Sequence, residues 1–219
     1  MELRRKEALF AGILFLLQLI PYYIGHDYIL GSILYNSDYL SQVYEHKNLI
    51  SIAVLLELTS AFSFIGFSVI LFQYLKKVNL IIAIINIGLR FVEFGIIILS
   101  EIKLMVLVAT SEQFNSTENN LVIQLIADSI LAEWEWTTLI YMIIFCLNAL
   151  LFYYLLYRSH LIPRFISIWG FIGALIALFA PLLLMFGWSA GGMMLYILIG
   201  FNELFLAVWL IIKGFNSVV

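Results

Sequence analysis

The sequence predicts an all-α integral membrane protein, built as a single bundle of six transmembrane helices. Three observations lead to this prediction. The chain of 219 residues is 64% hydrophobic and only 11% charged, whereas soluble domains are roughly half apolar and a quarter charged. Six apolar stretches approach or exceed the roughly 20 residues that a helix needs to cross a bilayer. Basic residues are concentrated at alternate ends of these stretches. We therefore expect one transmembrane domain over residues 1–219.

The first three predicted spans occupy residues 8–24, 49–75 and 78–109. The first follows a basic segment and resembles a signal peptide, but no small-x-small cleavage site follows Pro21, so we expect an uncleaved helix. Residues 26–48 then form a polar segment, in which residues 37–46 are expected to make a short interfacial helix. A tight polar turn leads from the second span into the third.

The last three predicted spans occupy residues 133–157, 163–186 and 192–213. Residues 110–120 form a polar loop before them, and the amphipathic residues 121–131 predict a second interfacial helix. Residues 187–191, GWSAG, match the G-x-S-x-G pattern of a nucleophile elbow. That elbow needs a preceding strand and a base within reach of the serine. We therefore interpret the match as a tight interhelical turn and predict no catalytic residue.

The basic residues determine the predicted orientation. Those on the side of the N-terminus are Arg4, Arg5, Lys6, Lys76, Lys77, Arg158, Arg164 and Lys213. The opposite side carries Lys47 and Lys103 together with most of the acidic residues. Cytoplasmic loops of membrane proteins carry the excess of Lys and Arg. Both termini are therefore predicted to be cytoplasmic.

The third predicted span carries Arg90 and Glu93 near its middle. An ionised side chain at the centre of a bilayer costs roughly 2.5–3.5 kcal/mol on insertion scales, so it normally faces protein or water. The two residues lie one helical turn apart, where side chains can contact each other. Glu203 of the sixth span lies at a similar depth, judged from the rise per residue of a helix. Our hypothesis is that Arg90 is held near the midplane by both Glu93 and Glu203.

Other polar residues in the spans complete a candidate site for a ligand or a proton. Its predicted members are Glu57, Asn86, Arg90, Glu93, Asn202 and Glu203. An outer vestibule is predicted from Glu101, Glu133 and Glu135. The fourth span also has a stripe that is predicted to face the bundle, made of Trp134, Thr138, Tyr141, Phe145, Asn148 and Phe152. Like charges in a low-dielectric site cannot all be ionised, so one carboxyl, first of all Glu57, is expected to hold a proton or a cation. A salt-bridge cluster that only fixes helix register is the structural alternative.

Two segments resemble the signature stretches of the domain-of-unknown-function 4386 (DUF4386) family. They are residues 154–175, YLLYRSHLIPRFISIWGFIGAL, and residues 202–216, NELFLAVWLIIKGFN. The surroundings of Glu57 (LLEL) and of Arg90 and Glu93 (LRFVEF) are similar to earlier helices of that family. The resemblance implies a multi-pass protein of a prokaryotic plasma membrane. It also implies that five residues match the family pattern: Glu57, Arg90, Glu93, Asn202 and Glu203. It implies no substrate and no mechanism.

These features predict a membrane protein that binds or transports a small polar or cationic ligand or a proton. One alternative is a membrane-embedded enzyme that acts on a lipid, with a Glu as general acid or base. Another is a non-catalytic accessory or immunity-type protein that acts through helix contacts. The sequence contains no H-E-x-x-H pattern, and we expect no metal, no cofactor and no nucleic acid. The expected partners are the lipid bilayer and a small-molecule or lipid ligand, and the oligomeric state stays open.

Overall fold

The structure is a computed structural model that describes residues 2–116, 120–188 and 194–216. These ranges contain helices and turns and no strand. The helices are α1 (Glu2–Tyr22), α2 (Gly31–Leu34), α3 (Tyr39–Glu45), α4 (Lys47–Leu75), α5 (Leu80–Ser116), α6 (Asn120–Ser159), α7 (Arg164–Met185) and α8 (Met194–Ile212). Six helical segments are long and apolar enough to cross a membrane, which confirms the predicted fold class. Ser189, in the predicted interhelical turn, and residue 192, the predicted start of the sixth span, lie outside the described residues.

The first membrane-crossing segment is longer than the predicted span, which ended at residue 24. After α1 the chain continues as a π-helix, Tyr23–Leu30, directly into α2. The π-helical segment lies against α4, and a Cβ atom on Gly25 would approach the carbonyl oxygen of Ala53 to 3.0 Å. Glycine thus permits the close contact that holds this segment against its neighbour. As a result, His26 lies inside the bundle and not in the predicted polar segment.

Helices α5 and α6 extend well beyond the predicted spans. They contain 37 and 40 residues, which corresponds to about 55–60 Å of helix. Residues 110–116, predicted as loop, continue α5. The separate interfacial helix predicted at residues 121–131 is wrong, because these residues form the first turns of α6. Ala127 and Trp134 are two turns apart on one face, and both are buried in the same hydrophobic cluster, so packing favours one continuous helix.

The short helix α3 lies within the region where the sequence predicts one. Leu40 and Val43 are buried, and the helix packs against α5. The hydroxyl of Tyr39 donates a hydrogen bond to Oδ1 of Asp128 in α6, at 2.7 Å. Burial and this hydrogen bond raise the pKa of Tyr39. The contacts join α3 to the extended ends of α5 and α6.

The six crossing segments form a closed ring. Each of the helices α4 to α7 packs against the next one in the sequence, and α1 packs against both α4 and α8. Because the number of crossings is even, the start of α1 and the end of α8 lie at one face of the ring, which we call the terminal face. The opposite face, where α3 lies, is called the distal face. The cytoplasmic location of both termini stays a prediction.

The ring is closed by contacts between α1 and the end of α8. The guanidinium of Arg5 donates hydrogen bonds to the carbonyl oxygens of Leu210, Ile211 and Ile212, at 3.2, 2.6 and 3.0 Å. These carbonyls have no partner within the helix, and a cation at this end also interacts favourably with the helix dipole. Gly12 lets the two helices approach, since a Cβ there would lie 2.7 Å from the side chain of Ile211.

Two apolar clusters and a set of buried charged side chains fill the ring. The terminal half is filled by one apolar cluster that includes Phe15, Phe67, Phe152 and Tyr153. A second apolar cluster, with Leu104 and Trp134, lies toward the distal face. The first cluster continues past Arg90 as far as Ile97 and Tyr141. Buried charged side chains lie among these apolar residues and form the candidate functional site.

Candidate functional site

The first polar cluster is centred on Glu93 of α5. Arg90 and Glu93 are 3% and 0% exposed, and Nη1 of Arg90 donates to Oε2 of Glu93 at 2.6 Å. Nδ2 of Asn148 in α6 donates to Oε1 of Glu93 at 2.7 Å. Asn86 in turn donates to the side-chain oxygen of Asn148 at 2.5 Å. Both oxygens of Glu93 therefore accept hydrogen bonds, as a buried carboxylate requires.

Arg90 is also enclosed by aromatic rings. Its guanidinium carbon lies 4.9 Å from the ring centre of Phe64 and 6.0 Å from that of Phe145. Both distances are within the range of cation–π attraction. The side chain is thus held from three sides by an ion pair and two rings.

Glu203 of α8 is also buried near this cluster. It lies close enough to Arg90 and Glu93 for their charges to act on it. The predicted direct ion pair between Arg90 and Glu203 is not among the ion pairs of the described residues, in which Arg90 binds Glu93. The reason is local geometry, since residues three apart on one helix meet without any adjustment between helices. Glu203 is therefore an additional acid in the interior of the ring.

The second polar cluster contains His26, Glu57 and Glu101 and lies closer to the distal face, about 16 Å along α5 from Arg90. Nδ1 of His26 is 3.3 Å from Oε1 of Glu57. The carboxyl groups of Glu57 and Glu101 are close enough for their charges to interact, and these residues are 2% and 4% exposed. No described donor group gives a hydrogen bond to either oxygen of Glu101. The cluster therefore contains two adjacent buried carboxyls.

Aromatic side chains hold His26 in place beside a small cavity. Its ring stacks between those of Tyr22 and Trp134, with centres 5.0 and 5.2 Å away. The cavity is lined by His26, Glu57 and Tyr141, among others, and its water-accessible volume is about 10 Å³. That volume is sufficient for about one water molecule.

Tyr141 lies between the two polar clusters. Along α6, Tyr141 lies between Trp134, which contacts His26, and Asn148, which binds Glu93. Its ring lies 5.9 Å from that of Tyr22, which contacts His26. A hydroxyl group between two sets of acids can both donate and accept hydrogen bonds.

The three predicted vestibule residues are found in different environments. Glu101 is buried beside Glu57, because it continues the face of α5 that carries Arg90 and Glu93 into the ring. Glu133 is exposed and forms an ion pair with Lys103. Glu135 is exposed and lines a larger cavity near the distal face. Only Glu135 therefore lies in an open vestibule.

Asn202 occupies a structural position between helices. Its side-chain nitrogen donates to the carbonyl oxygen of Ile166 in α7 at 2.9 Å. This bond connects α7 to α8 and involves neither polar cluster.

The sequence prediction did not include His26 and Asn148 among the site residues. The signal for His26 was weak, because the polar residues beside it resemble a loop after an apolar span. Asn148 was on the stripe predicted to face the bundle, but its partner depends on how α6 is rotated against α5. Among the described residues, no three His, Cys, Asp or Glu side chains are arranged to hold a metal ion.

Comparison with known proteins gives one match. A family model described as a domain of unknown function (DUF4386) matches residues 10–214, which is nearly the whole chain. No curated protein and no solved structure matches the chain. The activity must therefore be inferred from the two polar clusters and the cavities beside them.

Proposed function

The chain belongs to the DUF4386 family, and we propose that it is a membrane protein that binds and transfers a proton through the interior of its helix ring. The observation that carries this proposal is the pair of adjacent buried carboxyls, Glu57 and Glu101, beside His26. Two neighbouring carboxylates in a low-dielectric environment strongly oppose each other's ionisation. The pair therefore holds a proton or a cation between its members and titrates as a unit.

The size of the adjoining cavity favours a proton over a larger ligand. Its water-accessible volume of about 10 Å³ matches about one water molecule and excludes an organic molecule. A water molecule there would lie next to His26, Glu57 and Tyr141. Carboxyl, imidazole and hydroxyl groups in sequence are the groups that carry protons inside membrane proteins.

The arrangement supports access from the distal face. The small cavity and the larger distal cavity share Thr138 in their linings. Tyr141 lines the small cavity with Glu57, and Asn148, two turns further along α6, binds Glu93 in the cluster around Arg90. Beyond Arg90, the terminal half of the ring is packed with apolar side chains such as Phe67 and Phe152. Complete transfer therefore requires this apolar section to open in a second conformation.

Proton movement can be measured with purified protein in liposomes that contain a pH-sensitive dye. Potassium is loaded inside the liposomes, and its efflux through valinomycin makes the interior negative, which drives protons inward. We expect wild-type protein to acidify the interior, and the variants Glu57→Gln and Glu101→Gln to lose most of this flux because the titrating pair is gone. Glu133→Gln is the matched control, because Glu133 is an exposed acid paired with Lys103. It should retain the flux.

Two results would contradict the proposal. One is a wild-type flux no greater than that of protein-free liposomes, with the protein correctly folded and inserted. The other is an equal loss of flux in Glu133→Gln and Glu57→Gln. Either result would favour the structural alternative, in which the clusters only fix how the helices pack.

A further inference from the structure

We propose that the larger cavity near the distal face binds a water-soluble organic cation that carries an ammonium group and an oxygen acceptor. This inference goes beyond proton transfer and does not depend on it. The cavity has a water-accessible volume of about 450 Å³, within the range of small-molecule sites. It lies between α6, α7 and α8, with Tyr35 at its edge.

The lining of this cavity is unusually aromatic. Four aromatic side chains take part: Tyr35, Trp134, Trp136 and Tyr196. The negatively polarised faces of such rings attract ammonium groups, and aromatic cages recognise quaternary ammonium ligands in this way. The remaining lining is mostly apolar, with Met142 and Leu184 among it, and it would contact the alkyl part of such a ligand.

Glu135 supplies an acidic group to this cavity. Among the described ion pairs, none includes Glu135, whereas the neighbouring Glu133 is paired with Lys103. Glu135 and Tyr35 both line this cavity, so the acid and an aromatic ring belong to the same site. An unpaired carboxylate among aromatic rings favours a cation over a neutral or anionic ligand.

An unsatisfied donor in the lining indicates the second part of the ligand. Trp134 is 1% exposed, and its indole nitrogen has no acceptor among the described residues. A buried indole N–H normally has a hydrogen-bond partner, because an unmade hydrogen bond is costly. A hydroxyl, ether or carbonyl oxygen of a ligand in the cavity would provide this acceptor.

The test uses butyrylcholine as the probe, because it combines a quaternary ammonium group, an ester carbonyl and an apolar chain. Its uncharged isostere, 3,3-dimethylbutyl butanoate, has nearly the same shape. Binding is measured by isothermal titration calorimetry with purified protein in a maltoside detergent, which contains no ammonium groups. We expect saturable binding of butyrylcholine, and binding of the isostere that is at least about fivefold weaker, as loss of a cation–π contact predicts.

Variants place the binding in this cavity. Glu135→Gln and Trp136→Leu should each weaken binding by about fivefold or more, because each removes one of the attractions. Trp134→Phe should also weaken binding, since it retains the ring and removes the N–H donor. Glu133→Gln is the control for charge and should bind within about twofold of the wild type, as expected for an exposed, already paired acid. The melting temperature of each variant establishes whether it is folded. If Trp136→Leu does not fold, Tyr196→Leu replaces it as the variant of the cavity lining.

Several outcomes would overturn the proposal. They are the absence of saturable binding to folded wild-type protein, equal affinity for the uncharged isostere, and equal weakening by Glu133→Gln and Glu135→Gln. None of these concerns proton flux. The failure of this inference and the failure of the proposed proton transfer are therefore separate results.

Discussion

Glu93 illustrates how a charged residue is accommodated in the middle of a membrane helix. One of its oxygens binds Arg90 and the other binds Asn148, so the carboxylate has a partner on its own helix and one on the next. Removal of one partner from a buried ion pair leaves the other charge uncompensated. Replacing one residue of the pair should therefore destabilise the ring more than replacing both.

This dependence can be tested with a double-mutant cycle. Arg90→Leu and Glu93→Leu should each lower the free energy of unfolding by about 3–5 kcal/mol. The double variant should recover much of this loss, because apolar replacement of a whole ion pair is often neutral. Circular dichroism monitors unfolding in detergent and gives the change in unfolding free energy for each single variant and for the double variant.

Glu203→Leu provides the comparison for this cycle. Glu203 lies near Arg90 without forming an ion pair to it in the described structure. Its coupling to Arg90 should therefore be clearly smaller than that of Glu93. Additive losses for Arg90 and Glu93 would show that the observed ion pair contributes no coupling energy.

Residue spacing was sufficient to predict the contact between Arg90 and Glu93 but not the contacts between helices. The first contact is set within one turn of α5. The contacts of Glu93 with Asn148 and of Glu57 with His26 depend on the rotation and depth of separate helices. No local pattern determines these quantities, because they result from the packing of the complete ring.

At the scale of the helices, hydropathy located all six membrane crossings but misplaced several ends. A window of apolar residues identifies a span, but it contains no information about whether the helix stops there. The segment after residue 24 remains helical because neighbouring helices bury Ile29 and Leu30. Helix α6 begins at Asn120 because its first turns share a buried face with the rest. Helix ends in this protein are thus determined by tertiary contacts.

The packing of α7 against α6 depends on Gly170. A Cβ atom there would lie 2.2 Å from Cε1 of Tyr153, and Tyr153 is itself buried. We therefore expect Gly170→Ala to lower the free energy of unfolding by about 1–3 kcal/mol through overpacking. Thermal unfolding of the purified protein measures the loss.

Gly88→Ala is the matched control for Gly170→Ala. Gly88 is also a helical glycine, but no atom lies within 4 Å of a Cβ placed on it. Alanine is a better helix former than glycine by about 1 kcal/mol, so this variant should be as stable as the wild type or more so. If Gly170→Ala behaved like Gly88→Ala, the contact between α6 and α7 would be looser than the structure shows.

At the scale of the whole molecule, ring closure and charge distribution act together. Arg5 caps the end of α8 and so connects the two ends of the chain at the terminal face. Other basic residues lie at the same face, including Lys76, Arg158 and Lys213. Basic residues are retained on the cytoplasmic side during membrane insertion. Arg5 and the other basic residues of the terminal face thus predict how the ring is oriented in the membrane. The terminal face is predicted to be cytoplasmic, and the distal cavity is predicted to face outward.

Labelling of single cysteines in intact cells tests this orientation. Cys146 is buried and is first replaced in Cys146→Ser. In that background Asn36→Cys and Ser116→Cys introduce thiols at exposed positions of the distal face, and Lys77→Cys introduces one at the terminal face. An impermeant maleimide should label positions 36 and 116, because the distal face is predicted to lie outside, and it should label position 77 only after the cells are opened. If position 77 were labelled in intact cells while 36 and 116 were protected, the cavity proposed to bind an organic cation would face the cytoplasm and could not take its ligand from outside.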